Sequence, residues 1–273
     1  MRPPIALTIA GSDSGGGAGI QADLKTFLAL RVHGCSAISC ITAQNTLGVS
    51  RVDGLPPEAL TAQIKAVLSD LPVAAIKTGM LLNAALIAAA ADALRPLSVP
   101  RLIDPVMVSR AGAVLLEPEA IEAYRQQLLP LAELITPNLH EARLLSGQTI
   151  EDASGVERAA ALLLEQGPQA VLIKGGGLPQ LRGHDYLLVR GAEGVWLRSA
   201  VVDTPHTHGS GCTLGAAITA ERARGLELEA SVVAAKAYVE GGLRRALAIG
   251  GGQGPLCHWH PLVERAAEQH GRT

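Results

Sequence analysis

The chain has 273 residues, 48% of them hydrophobic, enough to bury the core of one α/β domain without disulfide or metal staples. Lys and Arg total 23 against 25 Asp and Glu, and aromatics make up only 2%, which argues against a basic groove with stacking side chains for nucleic acid. Its four cysteines, Cys35, Cys40, Cys212 and Cys257, include no Cys-x-x-Cys pair and indicate neither zinc nor a disulfide framework.

In chain order, Ile5–Ala10 predicts a buried strand closed by a glycine-rich turn at Gly11–Gly19. The apolar run is cut there by Gly11-Ser12-Asp13, too early for a signal peptide. Ile20, Leu24, Phe27 and Leu28 share one face of a helix over Ile20–Leu30. Cys35–Thr42 predicts a strand, Pro57–Leu71 a helix with proline at its start, and Val73–Lys77 a strand. Ala84–Leu94 predicts a helix, Leu102–Val106 a strand ending in Asp104-Pro105, and Leu134–Thr136 a short strand before a helix around Glu141–Leu145. Val156–Glu165 is a helix, Ala170–Lys174 a strand, and Tyr186–Val189 with Val195–Val202 a hairpin. Helices follow from Gly211, over Glu229–Ala248 and over roughly Pro261–Gln269. Alternating strands and helices predict a mostly parallel central sheet with helices on both faces, and the hairpin a small antiparallel edge element. No linker divides the chain, so one domain over 1–273 is expected. No charge-free apolar stretch of about 20 residues occurs, so the expectation is a cytoplasmic protein with neither membrane nor nucleic acid as partner.

Ligands of open α/β sheets sit beyond the carboxyl ends of the strands. The segments there are polar and rich in glycine: Gly11-Ser12-Asp13, Gln44-Asn45-Thr46, Thr78-Gly79-Met80, Asp104-Pro105, Asn138, Lys174-Gly175-Gly176 and His208-Gly209-Ser210-Gly211-Cys212. In the last, two glycines precede a helix, so backbone N–H groups and the helix N-terminus form either an anion site or merely a tight turn. Cys212 stands where a helix start lowers a thiol pKa, giving a base for a substrate hydroxyl; a small residue filling a corner is the plain alternative. Asp104 suits a magnesium contact or a turn cap, and Lys174 a phosphate contact or solvent. Asn138 and Glu141 share a face three residues apart, a spacing that serves a metal or an N-terminal capping box equally well. His258-Trp259-His260 has no accompanying carboxylate cluster and reads as a surface or packing feature. The absence of Gly-x4-Gly-Lys-Ser/Thr and of Gly-x-Gly-x-x-Gly in the first strand-to-helix turn excludes a P-loop and disfavours a dinucleotide site.

Together, Ala10–Asp23 (AGSDSGGGAGIQAD), Thr42–Thr46 (TAQNT), Lys77–Leu81 (KTGML), Asp104–Met107 (DPVM), Thr136–Glu141 (TPNLHE) and His208–Leu214 (HGSGCTL) resemble, in order, the motifs of the hydroxymethylpyrimidine and phosphomethylpyrimidine kinases of thiamine biosynthesis. The resemblance covers about Ile5 to Leu256. It implies a ribokinase-like fold, ATP with Mg2+, and phosphorylation of 4-amino-5-hydroxymethyl-2-methylpyrimidine and then of its monophosphate. By motif position it assigns Gly11, Asp23, Gln44, Met80 and Val106 to the pyrimidine pocket and Gly209, Ser210, Gly211 and Cys212 to the catalytic anion hole. It assigns Lys174, Thr204 and Lys236 to the nucleotide, and Asp104, Asn138 and Glu141 to the metal. Cys212 takes the place where the wider ribokinase group commonly has an aspartate base, which disfavours a sugar or nucleoside kinase. The chain departs from the pattern at Pro205-His206, Gly177 and Cys257, which bears on nucleotide preference. A pyridoxal kinase of the same fold, alone or as a dual activity, is the nearest rival, and a non-catalytic pyrimidine sensor the rival from another class. A homodimer is an open expectation, and Val106–Gly112 and Gly175–Gly183 are candidate covers for the site.

Overall fold

The computed structural model describes residues 2–107 and 118–263. Among the described residues nine strands form one sheet: β1 (Ile5–Asp13), β2 (His33–Asn45), β3 (Gly48–Gly54), β4 (Ala75–Thr78), β5 (Arg101–Ile103), β6 (Leu134–Ile135), β7 (Ala170–Lys174), β8 (His184–Val189) and β9 (Val195–Arg198). Their order is β3-β2-β1-β4-β5-β6-β7-β8-β9. β2 through β7 are parallel in that order, while β3 pairs antiparallel with β2 at one edge and β8 and β9 continue antiparallel at the other. The expected antiparallel element is therefore present, and a second occupies the opposite edge.

The helices are α1 (Gly19–Ala29), α2 (Pro57–Leu68), α3 (Ala84–Leu94), α4 (Pro118–Ala123), α5 (Leu139–Ser146), α6 (Ala153–Glu165), α7 (Ser210–Ala223) and α8 (Leu228–Arg244). Strand alternation divides the core between two faces. Leu7, Ile9, Val171 and Ile173 join the cluster under α2, α3, α5 and α6, whereas Ala170 and Leu172 pack with Leu214, Ile218 and Val232 of α7 and α8. Local chemistry sets several helix starts: Asn83 Oδ1 accepts the Leu86 N–H, Asp152 Oδ1 the Gly155 N–H, and a proline opens α2.

Some boundaries differ from expectation. β2 runs on to Asn45 because β3 pairs with its end, and β3 carries no apolar run, being largely exposed and held by the backbone ladder. β5 stops at Ile103, since the Val106 N–H turns back onto the Asp104 carbonyl. β9 stops at Arg198 and α8 at Arg244. The expected helix Pro261–Gln269 and the cover Val106–Gly112 fall largely outside the described residues. Among the described residues no helix is long and apolar enough to cross a membrane.

β1 neighbours both β2 and β4, so the chain builds outward on one side of β1 and then returns to the other. That reversal opens a crevice beyond the carboxyl ends of β1 and β4, where open α/β sheets bind ligands.

Candidate active site

Beyond β1 the chain turns through a loop organised by Asp13. Its Oδ1 accepts the Gly15 N–H at 2.8 Å, and its Oδ2 accepts Gly17 and Ala18 N–H at 3.0 and 2.8 Å. Burial works to raise this carboxyl's pKa, but the His208 contact and the backbone donors prevail and hold it below the ordinary value. His208 Nε2 lies 3.0 Å from Asp13 Oδ2 and 3.2 Å from Gln44 Nε2. One ring nitrogen cannot donate to the carboxylate and accept from the amide at once, so these two contacts alternate with the tautomer.

Gly209, at φ +76°, caps α7 in the left-handed region. A methyl there would lie 1.8 Å from the Gly17 carbonyl oxygen, and one at Gly17 would lie 2.4 Å from the His208 ring. The glycine loop after β1 and the start of α7 thus touch backbone to backbone, an approach only glycine allows. Ser210, Gly211 and Cys212 form the first turn of α7. A methyl on Gly211 would sit 3.5 Å from Lys174 Nζ, which places that ammonium beside the turn.

A charged group lies below. Asp104, 2% exposed, accepts from Thr136 Oγ1 at 3.1 Å and from Lys174 Nζ at 3.0 Å. Burial alone would depress Lys174, but Asp104 and Glu141 outweigh it and raise its pKa. Glu141 is 3% exposed, and burial with Asp104 nearby pushes its carboxyl up to about 7. Asn138 and Glu141 form a reciprocal capping box, with the Glu141 N–H donating to Asn138 Oδ1 at 2.9 Å and the Asn138 N–H to Glu141 Oε2 at 2.8 Å. Of the two readings open at the sequence level the cap is therefore present, and Asn138 Oδ1 is engaged in it.

Cys212 corrects an expectation. Its thiol pKa is raised to about 11: burial, with Asp23 and Asp104 nearby, outweighs Lys77 and the Gly19 N–H that it accepts. The helix start does not make it a resting thiolate. Asp23 is fully buried, accepting from Thr8 Oγ1 at 2.6 Å and Lys77 Nζ at 2.9 Å, so it lies beneath the crevice instead of on its wall. Met80 is fixed by its carbonyl, which accepts Ser39 Oγ at 2.6 Å, and a methyl on Gly11 would press to 2.8 Å of Cys40 Sγ. Lys236 is turned onto Asp185, whose other oxygen accepts the Gly175 N–H. Thr204 accepts the His206 N–H at 3.2 Å, and His206 Nδ1 takes the Gly254 N–H at 3.0 Å, binding the unusual Pro205-His206 segment to the C-terminal loop. The cover candidate Gly175–Gly183 folds as two short 3-10 turns with Leu181 buried. His258 and His260 are packing groups: one meets Thr213 Oγ1 at 3.1 Å and the other the Tyr238 carbonyl at 2.9 Å. Lys77, Asp13 and His208 are the site residues that sequence reasoning left without a role.

The profile of the phosphomethylpyrimidine kinase family matches residues 13–257. The chain belongs to the phosphomethylpyrimidine kinase family. A hydroxymethylpyrimidine/phosphomethylpyrimidine kinase of Synechococcus elongatus is 58% identical over 263 residues, spanning 96% of this chain and 100% of the relative. The phosphomethylpyrimidine kinase of Clostridium difficile, at 40% identity, superposes with a TM-score of 0.77 over 86% of this chain and 97% of its own. Pyridoxal kinase of Staphylococcus aureus in complex with AMP-PCP and pyridoxal, at 34% identity, superposes with a TM-score of 0.87 over 95% of each chain. The fold is ribokinase-like and the chain is an ATP-dependent phosphotransferase.

Within this kinase family member the donor set can be tested against magnesium. Among the described residues no three His, Cys, Asp or Glu side chains converge on a metal-sized point. Magnesium in phosphotransferases is commonly held by one or two carboxylates together with nucleotide phosphates. Asp104 and Glu141, two buried carboxylates near Lys174, fit that arrangement and not a protein-only cage.

Proposed function

We propose that this kinase, one domain over its length, transfers the γ-phosphoryl of ATP to the hydroxymethyl oxygen of 4-amino-5-hydroxymethyl-2-methylpyrimidine, and then a second phosphoryl to the monophosphate, in thiamine biosynthesis. The observation that carries the reading is the first turn of α7. Gly209 opens it in the left-handed region against the loop after β1, the Ser210 N–H donates to the Thr207 carbonyl at 3.2 Å, and Lys174 Nζ lies beside Gly211. Phosphoryl transfer needs positioning and charge stabilisation more than covalent help, and this turn supplies both.

In this reading Gln44 and Met80 hold the pyrimidine, with Gly11 and Val106 shaping the pocket and Asp23 supporting it from beneath. Gly209, Ser210 and Gly211 donate to the transferring phosphoryl, and Lys174, with Thr204 and Lys236 farther along the nucleotide, contacts ATP. As the bond from the substrate oxygen to the γ-phosphorus forms and the bond to the β-γ bridging oxygen breaks, the hydroxyl proton passes to Cys212, whose thiol must first have given up its own proton to solvent, and ADP leaves. Magnesium held by Asp104 and Glu141 next to Asn138 would supply charge neutralisation on the phosphates.

The test is ADP release from MgATP with hydroxymethylpyrimidine and pyridoxal offered in parallel. Turnover on the pyrimidine continuing to the diphosphate supports the reading. Turnover on pyridoxal alone, the compound bound by the Staphylococcus aureus neighbour, keeps the phosphoryl site and replaces the substrate.

A further inference from the structure

Asp13 and His208 join the glycine loop after β1 to the entry of α7, and the phosphoryl chemistry above gives neither a part. Asp13 is buried and meets only donors: the Gly15 N–H on Oδ1 at 2.8 Å, and the Gly17 and Ala18 N–H groups on Oδ2 at 3.0 and 2.8 Å. His208 Nε2 approaches the same Oδ2 at 3.0 Å. A carboxylate offers no proton, so a bare ring nitrogen at that distance would set two lone pairs face to face. Nε2 therefore carries a proton and donates it to Asp13, in the neutral ring and in the protonated one alike.

This decides the side chain that shares the ring nitrogen. One end of the Gln44 amide lies 3.2 Å from His208 Nε2 and the other 3.3 Å from Thr42 Oγ1. Thr42 has one hydroxyl proton, and the Ser12 carbonyl accepts it at 2.9 Å, so lone pairs of Oγ1 face the amide. A donor thus stands at one end of the amide and an acceptor at the other. Both are satisfied only when a half-turn about the last side-chain bond brings Oε1 to His208 and the amide nitrogen to Thr42. With the nitrogen at the imidazole, two N–H groups oppose each other.

We propose that Asp13 and His208 are specificity-determining positioning residues, which fix the Gln44 amide with its oxygen on the His208 side and so dictate which way round a ring binds. The inference rests on the reading of Gln44 as the group that meets the ring edge. An amide held this way offers one acceptor and one donor, the pair that matches an amine beside a ring nitrogen, as Gln and Asn read adenine. The amine goes to Oε1 and the ring nitrogen to the N–H. In 4-amino-5-hydroxymethyl-2-methylpyrimidine the amine stands between that ring nitrogen and the hydroxymethyl group. An amine on the His208 side therefore carries the hydroxymethyl group to the same side, and His208 is followed at once by Gly209 and the first turn of α7. A freely turning amide would accept the ring in both directions, one of which aims the hydroxyl away from that turn.

The experiment compares kcat/KM for this aminopyrimidine and for its 4-oxo analogue in the wild-type chain, His208→Phe and Gln44→Ala. The analogue carries an acceptor in place of the amine and an N–H in place of the bare ring nitrogen. Phenylalanine keeps a ring against Gly17, where a methyl would lie 2.4 Å from the imidazole, and removes the donor. The wild-type chain is expected to favour the amine at least about tenfold. In His208→Phe the amide turns to suit either ring, and the preference should fall below about threefold. A merely structural His208 would lower both rates alike and leave their ratio in place. A ratio in His208→Phe within about twofold of the wild-type value overturns the proposal, as does a wild-type ratio under about threefold. A preference that survives in Gln44→Ala removes Gln44 as the reader and the proposal with it. One that is lost in Gln44→Ala but kept in His208→Phe leaves the reader standing and overturns the positioning alone. If His208→Phe does not fold, His208→Asn, whose shorter side chain cannot span the same gap, replaces it with the same expectation, and the wild-type ratio decides should neither fold.

Discussion

Replacing Gly209 with alanine tests the geometry on which the phosphoryl site depends. The residue sits at φ +76°, a conformation that costs an L-residue about 1–2 kcal/mol. Its new methyl would also lie 1.8 Å from the Gly17 carbonyl oxygen and 3.3 Å from Ala18 Cα. Those atoms are backbone, so no rotamer change relieves the overlap, and the two loops must separate. Separation draws Gly17 away from His208 and carries the first N–H groups of α7 off the position of the transferring phosphoryl. Removing one such preorganised donor typically costs about 10²–10³ in kcat. We therefore expect ADP release by Gly209→Ala to fall at least about 100-fold, with a melting temperature lower by several degrees at about 2–4 °C per kcal/mol. Gly225→Ala is the control: its φ is +89° with nothing within 4 Å of the added methyl. It carries the same backbone cost without the collision and should lose stability alone. A Gly209→Ala enzyme with kcat within about threefold of the parent would refute the argument that this close approach shapes the anion hole.

Cys212→Ala should lower kcat by about 10²–10⁴ while leaving the KM for ATP nearly unchanged, as steady-state kinetics will show; near-normal turnover removes the base assignment. Gln44→Ala should raise the KM for hydroxymethylpyrimidine by roughly tenfold, the loss of about one polar contact, and an unchanged KM takes Gln44 out of the pocket. Burial next to Lys25 and other histidines depresses His258 to about 4 against an ordinary 6.5. The unfolded chain therefore binds a proton there before the native one does, and stability present above pH 6.5 is lost as pH falls toward 4. Melting curves across that window should show this loss, on the order of 3 kcal/mol, and His258→Gln should flatten it; an equal acid limb in the variant would point to other groups.

The parts of the fold that were legible are those where burial writes itself into composition. β1 and β7 are apolar on both faces because helices cover both, so they read as unbroken runs, and the alanines of α3 read as a helix. β3 was invisible for the opposite reason. Its residues, Gly48-Val49-Ser50-Arg51-Val52-Asp53-Gly54, are mostly exposed and gain their place from backbone pairing with β2, which leaves no periodic trace. The end of β5 was misplaced because Val106 is apolar for a loop reason: its N–H folds back on Asp104 just where the strand opens onto the crevice. At the Asn138–Glu141 segment one spacing serves two purposes, and only coordinates show the cap formed in both directions.

The site shows the same division between chemistry that is local and chemistry that is assembled. The glycines around Cys212 are contiguous, so an anion turn is readable from them alone. The environment of Cys212 is not, because Asp23, Lys77, Asp104 and Lys174 come from α1, β4, the end of β5 and β7. A helix N-terminus read in isolation favours the thiolate, and that was the expectation. Two carboxylates and burial in the assembled site reverse it. Lys77 had a signal that was available: a lysine closing the apolar run Val73-Ala74-Ala75-Ile76, followed at once by Thr78-Gly79. Side chains at a parallel strand's carboxyl end point either into a helix-covered face or toward solvent, and this strand is buried on both faces. A lysine in such a strand must carry its charge into the interior, and an interior charge requires a partner. The alternation that puts Thr8 of β1 opposite Lys77 of β4 also puts both beneath α1, where Asp23 is the one carboxylate of that helix. The pairing of Lys77 with Asp23 thus follows from strand register and helix face together, and neither alone would have named it.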